Sequence, residues 1–558
     1  MNVTHIVIGA GSAGCVMAAR LSEVASNRVV LIEAGADFAP DRMPEDLRDT
    51  YSGSALMNQA YFWNDLKIRR NATAAPVFYE QGRVIGGGSS VNGQVALRGA
   101  PDDYDHWHRL GATGWDWQSV LPYFRRLEKD LDFTDQLHGA EGPISIRRMP
   151  REQWDSFSLA VAKVWDGLGY EYRPDMNGAF GEGYSPIPLS NDGESRVSTA
   201  IGYLDAAARR RENLHIVPNA QARRILFENG RASSVEIRRN GAVETIAGEK
   251  IIVSAGALHT PWLLMLSGIG PAAHLRQLGI AVKLDRPGVG SNLQDHPAIH
   301  ISAYLPVVAR GKRVLRRNYS YLRYSSGLHD SPPADMVMMA VCRSAWHAIG
   351  VRIGTLTSYI GRSHSRGEVR LAAPSADVEP DVNFNWLSDR RDLDRMTDAF
   401  RRMAAIMTSD PVPTYATNLF ASRFSDRVRK IGRKNLKNTV LTNVAATMMD
   451  SSSTLRKFLV DRVISDAPPL TTLLADPRAL ETHVRGVVSS AWHASCTCRM
   501  GDPADPMTVV DPSGRVVGAE NLYIADASVM PEVSRTNTNI PTIMIAERIA
   551  EMIKQRGA

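Results

Sequence analysis

The chain has 558 residues, 44% apolar and 22% charged, with a formal net charge of +6. That length exceeds one ordinary domain, and the composition is that of a soluble globular protein rather than a disordered or fibrous one. Four cysteines exclude a disulfide-dense secreted scaffold and point to a reducing compartment, the cytoplasm.

The N-terminus enters an apparent strand, THIVIGAG, at once. No basic segment followed by an apolar run precedes it, so no signal peptide is expected. Strand, glycine turn, helix and second strand follow in THIVIGAGSAGCVMAARLSEVASNRVVLIEAG. Gly9, Gly11 and Gly14 set G-x-G-x-x-G at the strand–helix junction, and Glu33 closes the second strand nineteen residues past Gly14. The first glycine permits the tight turn, the second lets backbone N–H groups approach a pyrophosphate, and the third lets helix and strand pack closely. The helix N-terminus adds its dipole, and Glu33 can hold an adenosine ribose. Ser12, Ala13 and Ala34 belong to the same expected dinucleotide site. The motif leaves NAD and FAD both open, while an acid on the ribose disfavours a 2′-phosphate.

Farther along, NLHIVPNAQARRILFENGRASSVEIRR and KIIVSAGA carry strand signals. The run IIVSAGALHTPWLLMLSGIG (251–270) is long enough to suggest a membrane span, but Pro261 and its glycines make it a strand, turn and buried helix. Residues 301–390 contain alternating segments such as ADMVMMAVCRSAW and GTLTSYIGRSHSRGEVRL, which suit an antiparallel sheet. Residues 390–488 read as mainly helical, and the end returns to strand, irregular loop and amphipathic helix. This order predicts an α/β protein, α+β overall. A Rossmann-like nucleotide domain is built from 1–150, 195–300 and 489–558. A substrate domain of 151–194 and 301–488 places an antiparallel sheet against helices.

The positive charge is concentrated. In ASRFSDRVRKIGRKNLKN (421–438) seven Lys/Arg face one acid, and ARGKRVLRRNYSYLRYSSG (309–327) is a second basic stretch. A solvated face, a subunit contact or the rim of an acidic-substrate entrance is preferred here to nucleic acid or anionic lipid, because no nucleic-acid motif accompanies them.

The stretch SSAWHASCTCRMG (489–501) offers three chemistries: a metal site, a redox dithiol, or a catalytic base with bystander cysteines. A structural metal usually takes four ligands, and His493, Cys496 and Cys498 supply three, with Cys342 the other distal cysteine. Redox dithiols use C-x-x-C, whereas this is C-x-C. No metal is therefore expected, and a redox dithiol is comparably disfavoured, but local spacing alone does not decide what the histidine does.

Several separated blocks carry a family resemblance. They are GRVIGGGSSVNGQVALRGAPDDYDHW (82–107), GALHTPWLLMLSGIG (256–270), RPGVGSNLQDHP (286–297), AWHASCTCRMG and ADASVMPEVSRTNTNIPT. In this order they resemble the glucose–methanol–choline (GMC) oxidoreductases, FAD enzymes that oxidise alcohols. FYEQGRVIGGGSSVN, VLPYF, WHAS and NTNIPT are most similar to the branch that oxidises aryl alcohols and 5-(hydroxymethyl)furfural.

The resemblance implies roles for individual residues. Arg83, Gly87, Gly88, Ser89, Asn92, Gly93 and Val95 would lie against the flavin, where low side-chain bulk lets backbone approach. Relatives with a covalent flavin carry histidine where this chain has Val91, so FAD is expected to be noncovalent. Ala222 falls in a strand pair whose backbone contacts adenine, and Ala255, Asp526 and Ala527 fall near the ribityl–pyrophosphate region. Asn539, Pro541 and Thr542 begin a helix whose positive end would stabilise negative charge at the flavin's pyrimidine edge.

His493 carries the family's catalytic histidine, and Asn537 its partner, which is histidine in some members and asparagine in others. Hydride would pass to flavin N5 while His493 takes the hydroxyl proton and Asn537 holds the substrate oxygen. Protonated His493 would then favour reoxidation by O2, giving H2O2. Trp492, Tyr359 and Ile360 are the expected pocket wall. His259 and His296 are expected to serve packing or hydrogen bonding. Relatives commonly read GTCRMG, so Cys496 stands in the usual glycine region.

These readings favour an FAD oxidase of primary aryl or furanic alcohols. An FAD dehydrogenase passing electrons to a quinone is the alternative, and a redox-silent lyase on the same fold ranks behind both. The expected partners are a small alcohol and O2 or a quinone, without nucleic acid. Residues 425–468 resemble a family-variable insertion, read as an oligomer contact or lid ahead of a membrane-surface contact.

Overall fold

The computed structural model describes residues 3–310, 318–328 and 330–557. Two sheets organise the chain. One is wholly parallel and five-stranded, ordered Leu522–Ile524, Lys250–Val253, His5–Ile8, Val29–Ile32 and Leu214–Val217. These strands are buried on both faces, hence their continuous apolar sequences HIVI, VVLI and IIV. The Ser12–Leu21 helix and the C-terminal Asn539–Gly557 helix lie together beside this sheet. Ile540, Ile543, Met544, Ala546, Ile549 and Ile553 of the latter are buried. Inside that contact the Glu547 carboxylate pairs with Arg20 at 2.8 Å and accepts the Tyr203 hydroxyl at 2.6 Å.

The second sheet is antiparallel. Its order is Thr417–Ser422, Pro297–Tyr304, Ile353–Ile360, Met336–Val341, Asn318–Tyr324 and Gly183–Pro186, with the short Ser489–Ser490 strand pairing onto Pro297–Tyr304. The Arg390–Thr408 helix backs it through Leu393, Met396, Phe400 and Met403, all buried. A third, three-stranded sheet of Ala220–Glu228, Arg231–Arg239 and Ala242–Ala247 stands beside the first.

The apolar run at 251–270 resolves into the Lys250–Val253 strand and the buried Gly256–Leu266 helix, with Pro261 inside it. Among the described residues no helix is long and apolar enough to cross a membrane. Residues 390–488 are mainly helical as read, but they also contribute the Thr417–Ser422 strand, whose TNLFAS signal is too short to stand out from its surroundings. Of the second basic stretch, residues 311–317 lie outside the described residues.

Candidate active site

A cavity of about 390 Å³ runs from the mouth of the Ser12–Leu21 helix to the antiparallel sheet. At the helix mouth Gly9 is left-handed, with φ 92°, and a Cβ on Gly14 would stand 1.8 Å from the Gly9 carbonyl oxygen. Only glycine at both positions lets the helix start this close to the strand. A Cβ on Gly87 would come within 2.7 Å of the Gly11 Cα, so two backbones meet here. By contrast, Cβ atoms on Gly11, Gly88 or Gly93 would meet nothing within 4 Å. All three line the cavity. The space they leave is a groove of backbone N–H groups at a helix N-terminus, suited to a pyrophosphate.

Glu33 closes the far end of this groove. It is buried, which raises its pKa, and the Ala10 and Gly35 N–H groups donate to it at 2.8 and 2.7 Å, which holds the rise in check. Asp526, likewise raised by burial, is fixed by donors from Gly256, Thr260 and Ser528. Ser12 donates to the Asn539 side chain at 2.8 Å, tying the first helix to the last. Ala13, Ala34, Asn92, Val95, Ala222, Ala255, Ala527 and Thr542 also line the cavity, as does Val91. A dinucleotide fits these residues. The backbone groove takes its phosphates, Glu33 takes a ribose, and Val91 offers no atom for a covalent link.

Four of the expected binding residues do not reach the cavity. Gly14 and Ser89 shape the backbone behind it, and Ser89 hydrogen-bonds Gly86 and Thr199 instead. Pro541 lies inside the last helix. Arg83 stacks on Trp63, 4.7 Å from the ring centre, and faces a neighbouring cleft.

At the other end the fold brings together His493 and Asn537, which lie 44 residues apart in sequence. The short Ser489–Ser490 strand registers against Pro297 and Ala298, so the turn that follows carries His493 beneath the sheet. Trp492 turns this corner in the left-handed region, with φ 61°. Asp295 anchors the turn, accepting the His493 N–H at 2.9 Å and the His296 N–H at 2.8 Å, with the Ser490 hydroxyl on its other oxygen. Burial pushes the Asp295 carboxyl up to about 7.

The Asn537 amide Nδ2 donates to His493 Nε2 at 3.0 Å, and His493 Nδ1 meets His296 Nδ1 at 2.7 Å. The Tyr359 hydroxyl donates to Asn537 Oδ1 at 3.4 Å, and Tyr321 meets Tyr359 at 3.2 Å. An amide N–H on Nε2 requires that nitrogen to be bare, so neutral His493 keeps its proton on Nδ1. It donates to His296, which must then carry its own proton on Nε2. Burial holds both imidazoles down, His296 to about 4 and His493 well below the ordinary histidine value, with the neighbouring ring adding to the latter effect. The arrangement is a neutral imidazole whose free nitrogen faces the cavity.

Tyr359 lines the cavity and stacks on His296 with ring centres 5.3 Å apart. Ile360 does not line it. The two are consecutive on one strand, so they face opposite sides, and Ile360 is fully buried in the core. Trp492 forms the rim, 38% exposed, with its indole N–H on Glu80 at 3.0 Å. Glu80 in turn takes Arg429 at 2.6 Å. The sheet presents Ala298, His300, Met339, Val341, Thr357 and Tyr359 to the cavity, with no carboxylate among them.

Sequence reasoning sets His296 aside and does not reach Asp295, Tyr321 or Glu80. The DHP triplet in NLQDHP holds the only local sign of the first two. His259 bonds Glu379 at 2.8 Å and packs on Trp63. Cys496 and Cys498 are free and buried, which pushes the Cys496 thiol up to about 12 and Cys498 well above its ordinary value. Cys496 occupies the left-handed region, φ 73°, so the turn keeps a conformation that favours glycine although glycine is absent.

The GMC oxidoreductase family profiles match residues 3–298 and 363–546. A 5-(hydroxymethyl)furfural oxidase of Methylovorus sp. (strain MP688) is 38% identical over 565 residues, covering 98% of each chain. An oxygen-dependent choline dehydrogenase of Sinorhizobium fredii (strain NBRC 101917 / NGR234) is 33% identical, covering 99% of this chain and 96% of its own. Among solved structures, pyridoxine 4-oxidase from Mesorbium loti superposes with a TM-score of 0.81 at 26% identity over 99% of each chain. A fungal aryl-alcohol oxidase shares the fold, with a TM-score of 0.76 at 21% identity, over 100% of this chain and 99% of its own.

Proposed function

Because the chain belongs to the GMC oxidoreductase family, whose members carry out FAD-dependent alcohol oxidation, we propose that it oxidises neutral primary alcohols of aryl or furanic type and returns the electrons to O2 as H2O2. The observation that carries this reading is the bare, buried His493 Nε2 beside Asn537 at the end of a cavity with a backbone groove at its other end. FAD, when bound, supplies the hydride acceptor.

The chain's own residues do the rest. Asn537 orients the alcohol oxygen next to His493 Nε2, in the place its amide now occupies. His493 takes the hydroxyl proton as the carbinol hydrogen leaves, so the C–O bond closes to a carbonyl. His296 keeps the accepting nitrogen in the right tautomer, and Asp295 holds the backbone of both histidines. Burial opposes charge on His493, so the proton passes on readily once turnover requires it.

The wall argues for the substrate class. A quaternary ammonium calls for carboxylate or an aromatic cage. The sheet wall of Ala298, His300, Met339, Val341, Thr357 and Tyr359 carries no charge, and Glu80 at the rim is already neutralised by Arg429 at 2.6 Å, which supports an uncharged alcohol over choline. The test is anaerobic mixing of the purified holoprotein with benzylic and furanic alcohols, followed by air. Bleaching of the flavin absorbance that reverses promptly with peroxide is expected. Bleaching that persists until a quinone is added would replace O2 as acceptor, and no bleaching with any neutral alcohol would overturn the proposal.

A further inference from the structure

Apolar side chains on a helix normally point inward, and one helix of this molecule does the reverse. The Leu436–Ser451 helix buries Asn438, Thr442, Ala446 and Met449. Its opposite face carries Leu436, Val440, Leu441 and Val444, exposed by 81, 56, 52 and 55%. At 100° per residue these four and Met448 span one face of roughly 140°, centred about opposite the buried one. Phe458, on the following Ser453–Leu459 helix, is 58% exposed. Of the seventeen large apolar residues that are exposed among those described, nine lie between Leu436 and Leu474. Scattered surface apolars need no explanation, but a concentration on this scale marks an interaction surface.

Its charge selects the partner. From Asp426 to Val463 there are nine Lys/Arg and three Asp. Asp450 is held by Arg310 and Arg352 at 2.6 and 2.7 Å, and Asp461 by Lys457 at 2.7 Å. Lys430, Arg433, Lys434 and Lys437 are exposed at the N-terminal end of the apolar face. A twofold contact between copies would set this basic collar near its own image. An anionic lipid surface instead attracts the collar and takes up the apolar face, the combination that seats a helix in a membrane interface.

We propose that the Leu436–Ser451 face docks the protein on the surface of an anionic bilayer. The preceding Asp426–Gly432 helix connects this face to the site, since its Arg429 holds Glu80, which holds Trp492 at the cavity rim. Docking there sets the rim beside the lipid, from which an apolar alcohol can enter.

Vesicle co-flotation of the holoprotein tests this, with phosphatidylcholine alone or mixed with phosphatidylglycerol. Binding to the mixed vesicles should exceed that to the neutral ones by about tenfold at low salt, and fall severalfold near 0.5 M salt as screening shortens its range. Leu436→Ser/Val440→Ser/Val444→Ser should lose about tenfold in binding even at low salt, because the apolar contribution is gone. Lys430→Glu/Lys434→Glu/Lys437→Glu should remove the preference for anionic lipid. Turnover of a water-soluble benzylic alcohol should not change in either variant, as none of these residues lines the cavity. Absence of vesicle binding would overturn the proposal. So would equal binding to neutral vesicles, binding that the serine variant retains, or a dimer in solution that the serine variant dissociates.

Discussion

At the scale of single residues, the site's behaviour follows from one imidazole kept neutral by burial. As the proposed base, His493 can act only when unprotonated, and burial holds its pKa well below the ordinary histidine value. The kcat/KM of alcohol oxidation should therefore stay flat from alkaline pH down past about 6.5, the ordinary histidine value, falling only in more acidic solution. An acid limb centred at or above that value would contradict this. His493→Ala should lower the rate of flavin reduction by roughly 10³-fold. Normal reduction rates in that variant would refute the base. His296 does not touch the cavity, so it is a positioning residue. His296→Ala should lower kcat more than it raises KM and shift the acid limb upward, because the ring that opposes charge on His493 is removed. A structural role alone would lower stability without moving the limb. At Asn537, histidine should preserve more activity than alanine, since its ring can still hold the substrate oxygen.

The elements around the site show which parts of the structure could be read from sequence. The Gly9–Gly11–Gly14 turn and Glu33 were legible because their chemistry is local: strand, turn, helix and acid lie within about one βαβ unit. His493 and Asn537 were legible from motif. The Nδ1 contact between the two histidine rings was not, because His296 and His493 meet only through the pairing of Ser489–Ser490 on Pro297–Tyr304. Tyr359 and Ile360 show a similar limit. Both sit in a recognisable strand, but only register against its neighbours decides which of two alternating faces meets the cavity. In the Leu436–Ser451 helix the mix of basic and apolar residues already read as a contact segment, but which apolar residues face outward follows only from the burial of Asn438, Thr442, Ala446 and Met449.

One element away from the cavity carries a prediction of its own. Arg98, Glu128, Asp130, His138, Arg148 and Asp175 form a buried ion cluster that joins the Glu128–Asp130 strand to the chain near Asp175. Among the described residues, Glu128, Asp130 and His138 alone have metal-ligand spacing, but Arg98 and Arg148 already pair with the two carboxylates, which leaves His138 as a third cationic partner rather than a ligand. His138→Leu should cost about 3 kcal/mol, since it leaves buried carboxylates short of a partner. Chemical denaturation measures this, and a loss under about 1 kcal/mol would show that the arginines suffice.

Across the whole molecule, titration and chain order set the conditions for stability. His5, His296 and His347 are each held down from 6.5 to about 4 by burial. They leave the folded state unpenalised above pH 6.5 and weaken it as pH falls toward 4, where the unfolded chain takes up protons that the folded one refuses. His138 is raised to about 10 by its carboxylates, so its contribution is full below pH 6.5 and is lost as pH rises through 10. Stability should peak near neutrality and decline on both sides, and His138→Leu should flatten the alkaline side alone. The parallel sheet places Leu522–Ile524 beside Lys250–Val253, and the Asn539–Gly557 helix covers the Ser12–Leu21 helix while sending Asn539 and Thr542 to the cavity. The flavin groove is thus complete only when the last segment returns to the first. Deleting residues 539–558 should abolish flavin retention and remove the stabilisation by added FAD, which for the full chain is about 2.7 kcal/mol at a hundredfold excess over Kd. Thermal melts with and without FAD, together with the flavin-to-protein absorbance ratio, read both effects. A truncated chain that still bound stoichiometric FAD would show that the N-terminal segments build the groove alone. Because Val91 offers no covalent link, acid precipitation of the full-length protein should leave all of the flavin in the supernatant, and colour in the pellet would contradict the noncovalent reading.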